Sequence, residues 1–315
     1  APARRGSARV APRVVQSPSP STLRLDQALL AVTVTTVLAG GLYVAVNQEV
    51  LEVTGRQRTM AFSVESEKEW ADEMYLEMLE EAEVLPYEDP RNLVLQSIFL
   101  RLVERNEVAR SAPWDWELVT IESDEVNAFA TLGGKLVVMT GLLAAMEEML
   151  EAGKIGSVSD AVAAVLGHEI GHAIARHSAE NLSWLPLQIP FFAFSYKSPL
   201  MQSIFQYYIQ LPFSRQNEYE ADKIGITLMA RAGFDPDEAM LLQAAIDQSS
   251  SFGEFGSTHP TGGHRATRLE KMLPEARVEF IRATMTSHHS APHDEYMRLL
   301  VNPFREALAA MKLAH

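Results

Sequence analysis

The alternation of apolar and polar positions along the chain is mainly helical. Between residues 65 and 110, "EKEWADEMYLEMLEEAEVL" sets Trp70, Met74 and Met78 at helical spacing, and "PRNLVLQSIFLRLVERNE" repeats the pattern. Both segments predict helices with these stripes turned toward a core. Ala161, Val162, Val165, Leu166 and Ile170 make another apolar helix face, with Ser159 and Asp160 offering its start. "SRQNEYEADKIGITLMARAGF" predicts a helix from a cap at Ser214 to a stop at Gly233. After it, Asp235, Pro236 and Glu238 stand in capping-box order. The period changes at "KLVVMTG", residues 135 to 141, a β-rich run behind the Gly133-Gly134 turn signal. The fold class expected is therefore α+β, mainly α, with a small sheet.

Two apolar stretches fit neither pattern. Ala28 to Val46 is nineteen residues without a charge, long enough as a helix to nearly span a hydrocarbon core of about 30 Å. It predicts one transmembrane helix over 28–46. Residues 182–213 contain no acid and nine aromatics, but Pro186, Pro190, Pro199 and Pro212 interrupt them. That stretch is expected to enter the bilayer surface or line a hydrophobic lip, or else to pack as a buried helical pair.

Charge sharpens the first of these. In residues 1–26 five arginines stand against the single Asp26, a net of +4, so with −14 for the whole chain the remainder carries −18. A body so acidic would repel phosphate, which argues against nucleic acid as a partner. Residues 1–27, rich in Arg, Ser, Pro and Ala, have the composition of an organellar targeting remnant; a disordered basic tail fits as well. Arginines before the apolar run and Glu49 and Glu52 after it put the tail on the matrix or cytoplasmic side and the body across the membrane. Cysteine is absent, so any metal must be held by histidine and carboxylate. There is no internal repeat and no phosphate-binding glycine loop.

The candidate chemistry lies in "GHEIGHAIARH". His168 and His172 are four apart, hence neighbours on one helix side, and can supply two nitrogens to Zn²⁺. Glu169, one residue round the helix, is placed to take a proton from a water and pass it to a leaving amine. A third histidine ten residues after His168 would mark a metzincin, but Ser178 and Ala175 occupy the diagnostic positions. His177, about 140° round the helix from His172, is a poor ligand and is expected at the surface or in a hydrogen bond. The other route to a third ligand is Glu218 on the second helix. Asp222 shares its face and would accept the distal N–H of a ligating imidazole.

Together these residues resemble the gluzincins, and more narrowly the membrane metallopeptidase family that includes the CAAX prenyl proteases and the heat-shock protease HtpX. "VNAFATLGGKLVVMTGLL", "EYEAD" and "STHPTGGHR" are similar to further segments of that family. Thr131-Leu132 departs from its usual Leu-Pro or similar pair. The resemblance implies a zincin-type domain over 65–275 with a C-terminal helical extension over 276–315. It also implies that Lys135, Leu136, Val137 and Val138 form the edge strand pairing with an extended substrate; a plain core hairpin is the alternative. His259 would donate to the oxyanion, with Arg265 in support.

The Arg- and Ser-rich start with a single apolar run resembles the mitochondrial inner-membrane branch of that family. That implies a stress-responsive zinc endopeptidase facing the intermembrane space, acting on membrane-anchored polypeptides and possible as a homo-oligomer. A bacterial inner-membrane quality-control protease of the same family, or a zinc-stabilised scaffold that does not cut, are the alternatives. Histidines in "SHHSAPH", residues 287–293, are expected in a surface loop.

Overall fold

The computed structural model describes residues 20–184, 215–248 and 265–287, together with Pro186, Phe252 and His259. The basic residues 1–19, most of the apolar stretch 182–213, the histidines at 288–293 and the extension beyond Ser287 lie outside the described residues. So does the "STHPTGGHR" segment, apart from His259 and Arg265. The chain divides into two units, residues 1–47 and 48–315.

The first unit holds helix α1, Pro20–Val46, which contains the uncharged run. Among the described residues no helix is long and apolar enough to cross a membrane.

The second unit opens with an antiparallel hairpin, β1 (Gln48–Val50) and β2 (Gln57–Thr59). Helix α2 (Val64–Glu81) starts at Ser63, whose side chain accepts from Ser66 N. Its fully buried face is Glu67, Ala71 and Tyr75; of the expected stripe, Met74 and Met78 are half-buried and pack against the core, and Trp70 does not. Trp70 is 43% exposed and packs edge-on against Phe62 at 5.2 Å, because the core contacts fall one position further round the helix. Helix α3 (Pro90–Glu104) has Asp89 as cap and proline at its first turn, where no N–H is needed. It turns Leu95, Ile98, Phe99 and Leu102 into the core, and the short α4 (Glu107–Arg110) follows.

A three-stranded sheet comes next, built from β3 (Glu117–Ile121), β4 (Ala128–Ala130) and β5 (Lys135–Met139) in the order β3-β5-β4. β5 is parallel to β3 and antiparallel to β4. This corrects the edge assignment of Lys135, Leu136, Val137 and Val138: β5 is paired on both sides, and β3 and β4 are the outer strands. The apolar character of "KLVVM" reflects that central place, since a strand covered on both faces reads as a continuous apolar run. The turn between β4 and β5 passes through Gly133 and Gly134 at φ 68° and 79°; a side chain at Gly134 would strike Trp114.

Helix α5 (Thr140–Glu151) leads to α6 (Val158–Ile174), capped by Ser157, which accepts from Asp160 N two residues before the expected start. Nearly all of α6 is buried, as expected of a helix apolar on every side. It ends at Arg176, which adopts φ 54°, and α7 (His177–Ser183) departs in a new direction. α8 (Arg215–Arg231) packs along α6, and Gly233 with φ 78° follows its end as expected. α10 (Arg265–Ser287) packs against α8, and α9 (Asp237–Ile246) packs against α6 and α10. Glu238 does not close a capping box: its carboxylate accepts from Gly156 N at 2.7 Å, tying α9 to the loop before α6.

Candidate active site

The contact between α6 and α8 is set by glycines. A Cβ on Gly225 would lie 2.7 Å from His168 N, and one on Gly171 would lie 2.8 Å from the Ala221 carbonyl oxygen. With hydrogen there instead, the two backbones approach closely enough for the short reach from Glu218 to the α6 imidazoles. His168, Glu169, His172, Glu218 and Asp222 are all buried as a result.

The donor atoms converge. His168 Nε2 and His172 Nε2 are 3.0 Å apart, and each is 3.4 Å from a Glu218 carboxylate oxygen. Three donors on a tetrahedral ion with bonds of 2.0–2.1 Å would lie about 3.3 Å from one another. Two imidazoles and one carboxylate therefore fit a metal of zinc's size and ligand preference. His259 joins them: its Nδ1 is 3.3 Å from His168 Nε2 and 3.2 Å from Glu218 Oε1. All four residues can bring one ligand atom within 4.8 Å of the others. The expected oxyanion donor thus sits at fourth-donor distance, with its Nε2 3.4 Å from Glu169 Oε1.

Glu169 is aimed by the sheet. Its Oε2 accepts from Ala130 N at 2.9 Å. Thr131 N donates to Lys135 on β5, so by alternation the N–H of Ala130 faces the other way, out of the unpaired edge of β4. The edge and the glutamate border the same space, and Glu169 Oε1 has no hydrogen-bond donor among the described residues.

Around the donors lies a charged layer. His168 Nδ1 is 3.0 Å from Asp222, which Arg265 also grips at 2.6 Å. Burial presses the Glu218 and Asp222 carboxyls upward, but the charges of His259 and Arg265 and the imidazole hydrogen bonds hold both below the ordinary range. Burial and Arg265 press His168 down, yet Asp222 and Glu218 outweigh them and raise it to about 9; His172 is held well below its usual value, first by burial. Proton and cation therefore compete at His168, so metal uptake weakens in acid.

The sequence reading missed two participants, Glu220 and the Ala130 N–H, and of its two expectations for His177 the hydrogen bond holds and the surface position does not. His177 is fully buried with its Nδ1 2.8 Å from His172 Nδ1, because the left-handed residue Arg176 breaks the helix and swings it beneath its neighbour. Glu220, on the far side of α8 from Glu218, is buried against His177 and Arg56. The Ala130 N–H carries no side-chain signal at all. Only the Gly167, Gly171 and Gly225 pattern was there to be read, as small residues spaced for close helix packing.

A structural metal site needs no base beside it; here a carboxylate outside the donor set is held against an open strand edge, the arrangement of a metal-dependent peptidase. Residues 89–273 match the model of Peptidase family M48. The chain belongs to that family and is a metalloendopeptidase, with polypeptides as its substrates. Mitochondrial metalloendopeptidase OMA1 of Schizosaccharomyces pombe is 33% identical over 264 residues, 80% of this chain and 74% of that protein. The Arabidopsis thaliana protein of that name is 38% identical over 169 residues, 52% of this chain and 32% of its own length. The beta-barrel assembly-enhancing protease of Escherichia coli is 29% identical over 215 residues, 59% of this chain and 41% of that one.

Proposed function

We propose that the chain is a zinc endopeptidase of the mitochondrial inner membrane, held there by the uncharged run of residues 28–46, which cleaves membrane-associated polypeptides from the intermembrane-space side. The observation that carries the reading is the convergence of His168, His172 and Glu218 with Glu169 beside them. A two-histidine, one-glutamate set is a known donor set of catalytic zinc. The mitochondrial location is supported by relatives that bear that word in their names and by the arginine-rich start. The anchor rests on the uncharged run 28–46; Val37, Leu38, Leu42 and Val46 are all exposed on α1. Residues 65–275 would form the catalytic domain and 276–315 its extension.

His168, His172 and Glu218 would hold the ion, which when bound polarises a water and the scissile carbonyl. Glu169 Oε1 takes the water's proton and returns it to the departing amine nitrogen, while Ala130 N–H holds the other carboxylate oxygen still. Asp222 accepts from His168 Nδ1, leaving Nε2 free to ligate, and Arg265 keeps Asp222 charged in its buried place. His259, swung off its ligand distance, would donate to the developing oxyanion. An extended substrate segment would run along the β4 edge, where backbone pairing makes little demand on sequence.

The test is cleavage of an unfolded, membrane-tethered reporter by the full chain and by Glu169→Gln, with bound zinc measured in both. Glu169→Gln is expected to retain zinc and lose activity by about 10²–10⁴-fold. Equal cutting by the two would remove Glu169 from the base role. A parent that holds zinc but never cuts would overturn the peptidase reading.

A further inference from the structure

We propose that His177 is a positioning residue for the metal site, carrying the charge of Glu220 and the hold of the N-terminal hairpin to the ligand His172. The inference rests on His172 being a ligand through Nε2, as above, and it concerns what stands behind that ring.

The two α6 imidazoles are supported differently. His168 Nδ1 meets the carboxylate of Asp222 directly. His172 Nδ1 meets His177 Nδ1 at 2.8 Å, and His177 Nε2 in turn lies 3.0 Å from Glu220 Oε2. The proton positions along this line follow from the chemistry. A ligating Nε2 needs its lone pair, so the ring proton of His172 must sit on Nδ1. Donated to a bare His177 Nδ1 at this distance, it leaves the His177 proton on Nε2, facing Glu220. One orientation of protons satisfies every member, and the negative end of the line is Glu220.

Glu220 is itself fixed from outside the two metal-bearing helices. Arg56, in the turn of the β1–β2 hairpin, donates its Nε to Glu220 Oε2 at 2.8 Å and forks its terminal nitrogens onto Glu180 of α7 at 2.7 and 2.5 Å. Thr54 donates to Glu220 as well. Arg58 of β2 donates to the Ala175 carbonyl at the end of α6, and Ala61 N donates to Ser183 of α7. The hairpin therefore grips the α6–α7 break that puts His177 under His172. It begins at residue 48, directly after α1, so the segment leading out of the first unit is the one that orients a metal ligand.

A purely structural role predicts something else for the same residues: loss of stability without loss of metal affinity beyond it. The experiment compares zinc affinity, by competition with a chromogenic chelator, and the melting temperature of the metal-free chain. Four substitutions are made in the full-length protein. His177→Phe fills the space but cannot accept from His172, and is expected to weaken zinc binding by about 10–100-fold. His177→Asn places an amide oxygen near the former Nδ1 and is expected to recover most of that loss. Glu220→Ala is expected to weaken binding in the same direction and by less. Asp89→Ala removes the cap of α3 and a pair with Arg91 (2.9 Å) that touch no ligand, and is expected to lower the melting temperature with zinc affinity unchanged. Wild-type affinity in His177→Phe, or equal losses in His177→Asn and His177→Phe, would overturn the proposal. If the unsubstituted chain binds no zinc, it is the assignment of His172 as a ligand that fails. Should His177→Phe not fold, Glu220→Ala and His177→Asn read against Asp89→Ala decide the matter.

Discussion

Gly225 shows how little room the site leaves at the scale of one residue. Its missing Cβ would fall 2.7 Å from His168 N and 2.9 Å from the Gly167 carbonyl oxygen, backbone atoms that can move only by moving a ligand. Gly225→Ala is expected to cost about 1–3 kcal/mol in chemical denaturation and to weaken zinc binding in the same preparation; unchanged zinc affinity would mean that the helix spacing does not govern ligand geometry. Asp222 tests the charged layer instead. It faces both His168 and the buried Arg265 guanidinium, whose affinity for its proton it raises against the effect of burial. Removing it in Asp222→Ala leaves that guanidinium short of its nearest partner, at an expected cost of about 3–5 kcal/mol. Asp222→Asn retains an acceptor and should cost less in the same denaturation experiment.

The elements meet at joints that carry their own charge balance. Where α9 meets the start of α6, Glu238 accepts from Gly156 N and Asp160 accepts from Asp235 N. Both carboxyls are pushed up, first by burial and then by the neighbouring acids, Asp160 acting on Glu238 and Asp235 on Asp160. An acid raised in the folded state favours folding most when protonated. This joint's contribution is therefore complete below the unfolded pKa, near 4, and is lost as pH climbs through the raised folded values. Glu238→Gln keeps an acceptor for Gly156 and removes the ionisation, so its melting temperature relative to the parent should improve from pH 4 to pH 7. A constant difference across that range would show that Glu238 does not ionise at a cost. This joint was hidden in the sequence, where Glu238 stood in capping-box order. The α2 face was displaced for a related reason: helical spacing shows that a stripe exists, whereas the neighbour that covers it decides which positions it includes.

At the scale of the whole molecule, the division after Asn47 separates the helix with the uncharged run from everything that builds the site. A chain lacking residues 1–47 is expected to keep the melting temperature of the full protein and to stop sedimenting with liposomes; continued sedimentation would place the membrane contact in the second unit. Much of that second unit could be read in advance. The His168-Glu169 pair with His172, the glutamate and aspartate of α8, and the glycine stop at its end are local matters. Helix period alone puts His168 beside His172, and Glu218 on one face with Asp222. What the pattern could not contain is which surfaces meet. "KLVVM" was correctly a strand, but its central place depends on partners β3 and β4, which lie on either side of it through loops of different length. His177 was assigned to a continuing helix, and one left-handed residue, Arg176, held by Glu67 and the Phe62 carbonyl, turned it into the support of a ligand. Arg56 reaches Glu220 across more than 160 positions of chain. Sequence by itself determined the donor types, their spacing on each helix and the carboxylate beside them, because those follow from the geometry of a single element. Tertiary structure alone decided the sheet edge, the burial of the acids and the line from hairpin to ligand, because each depends on contacts between segments that no local period records.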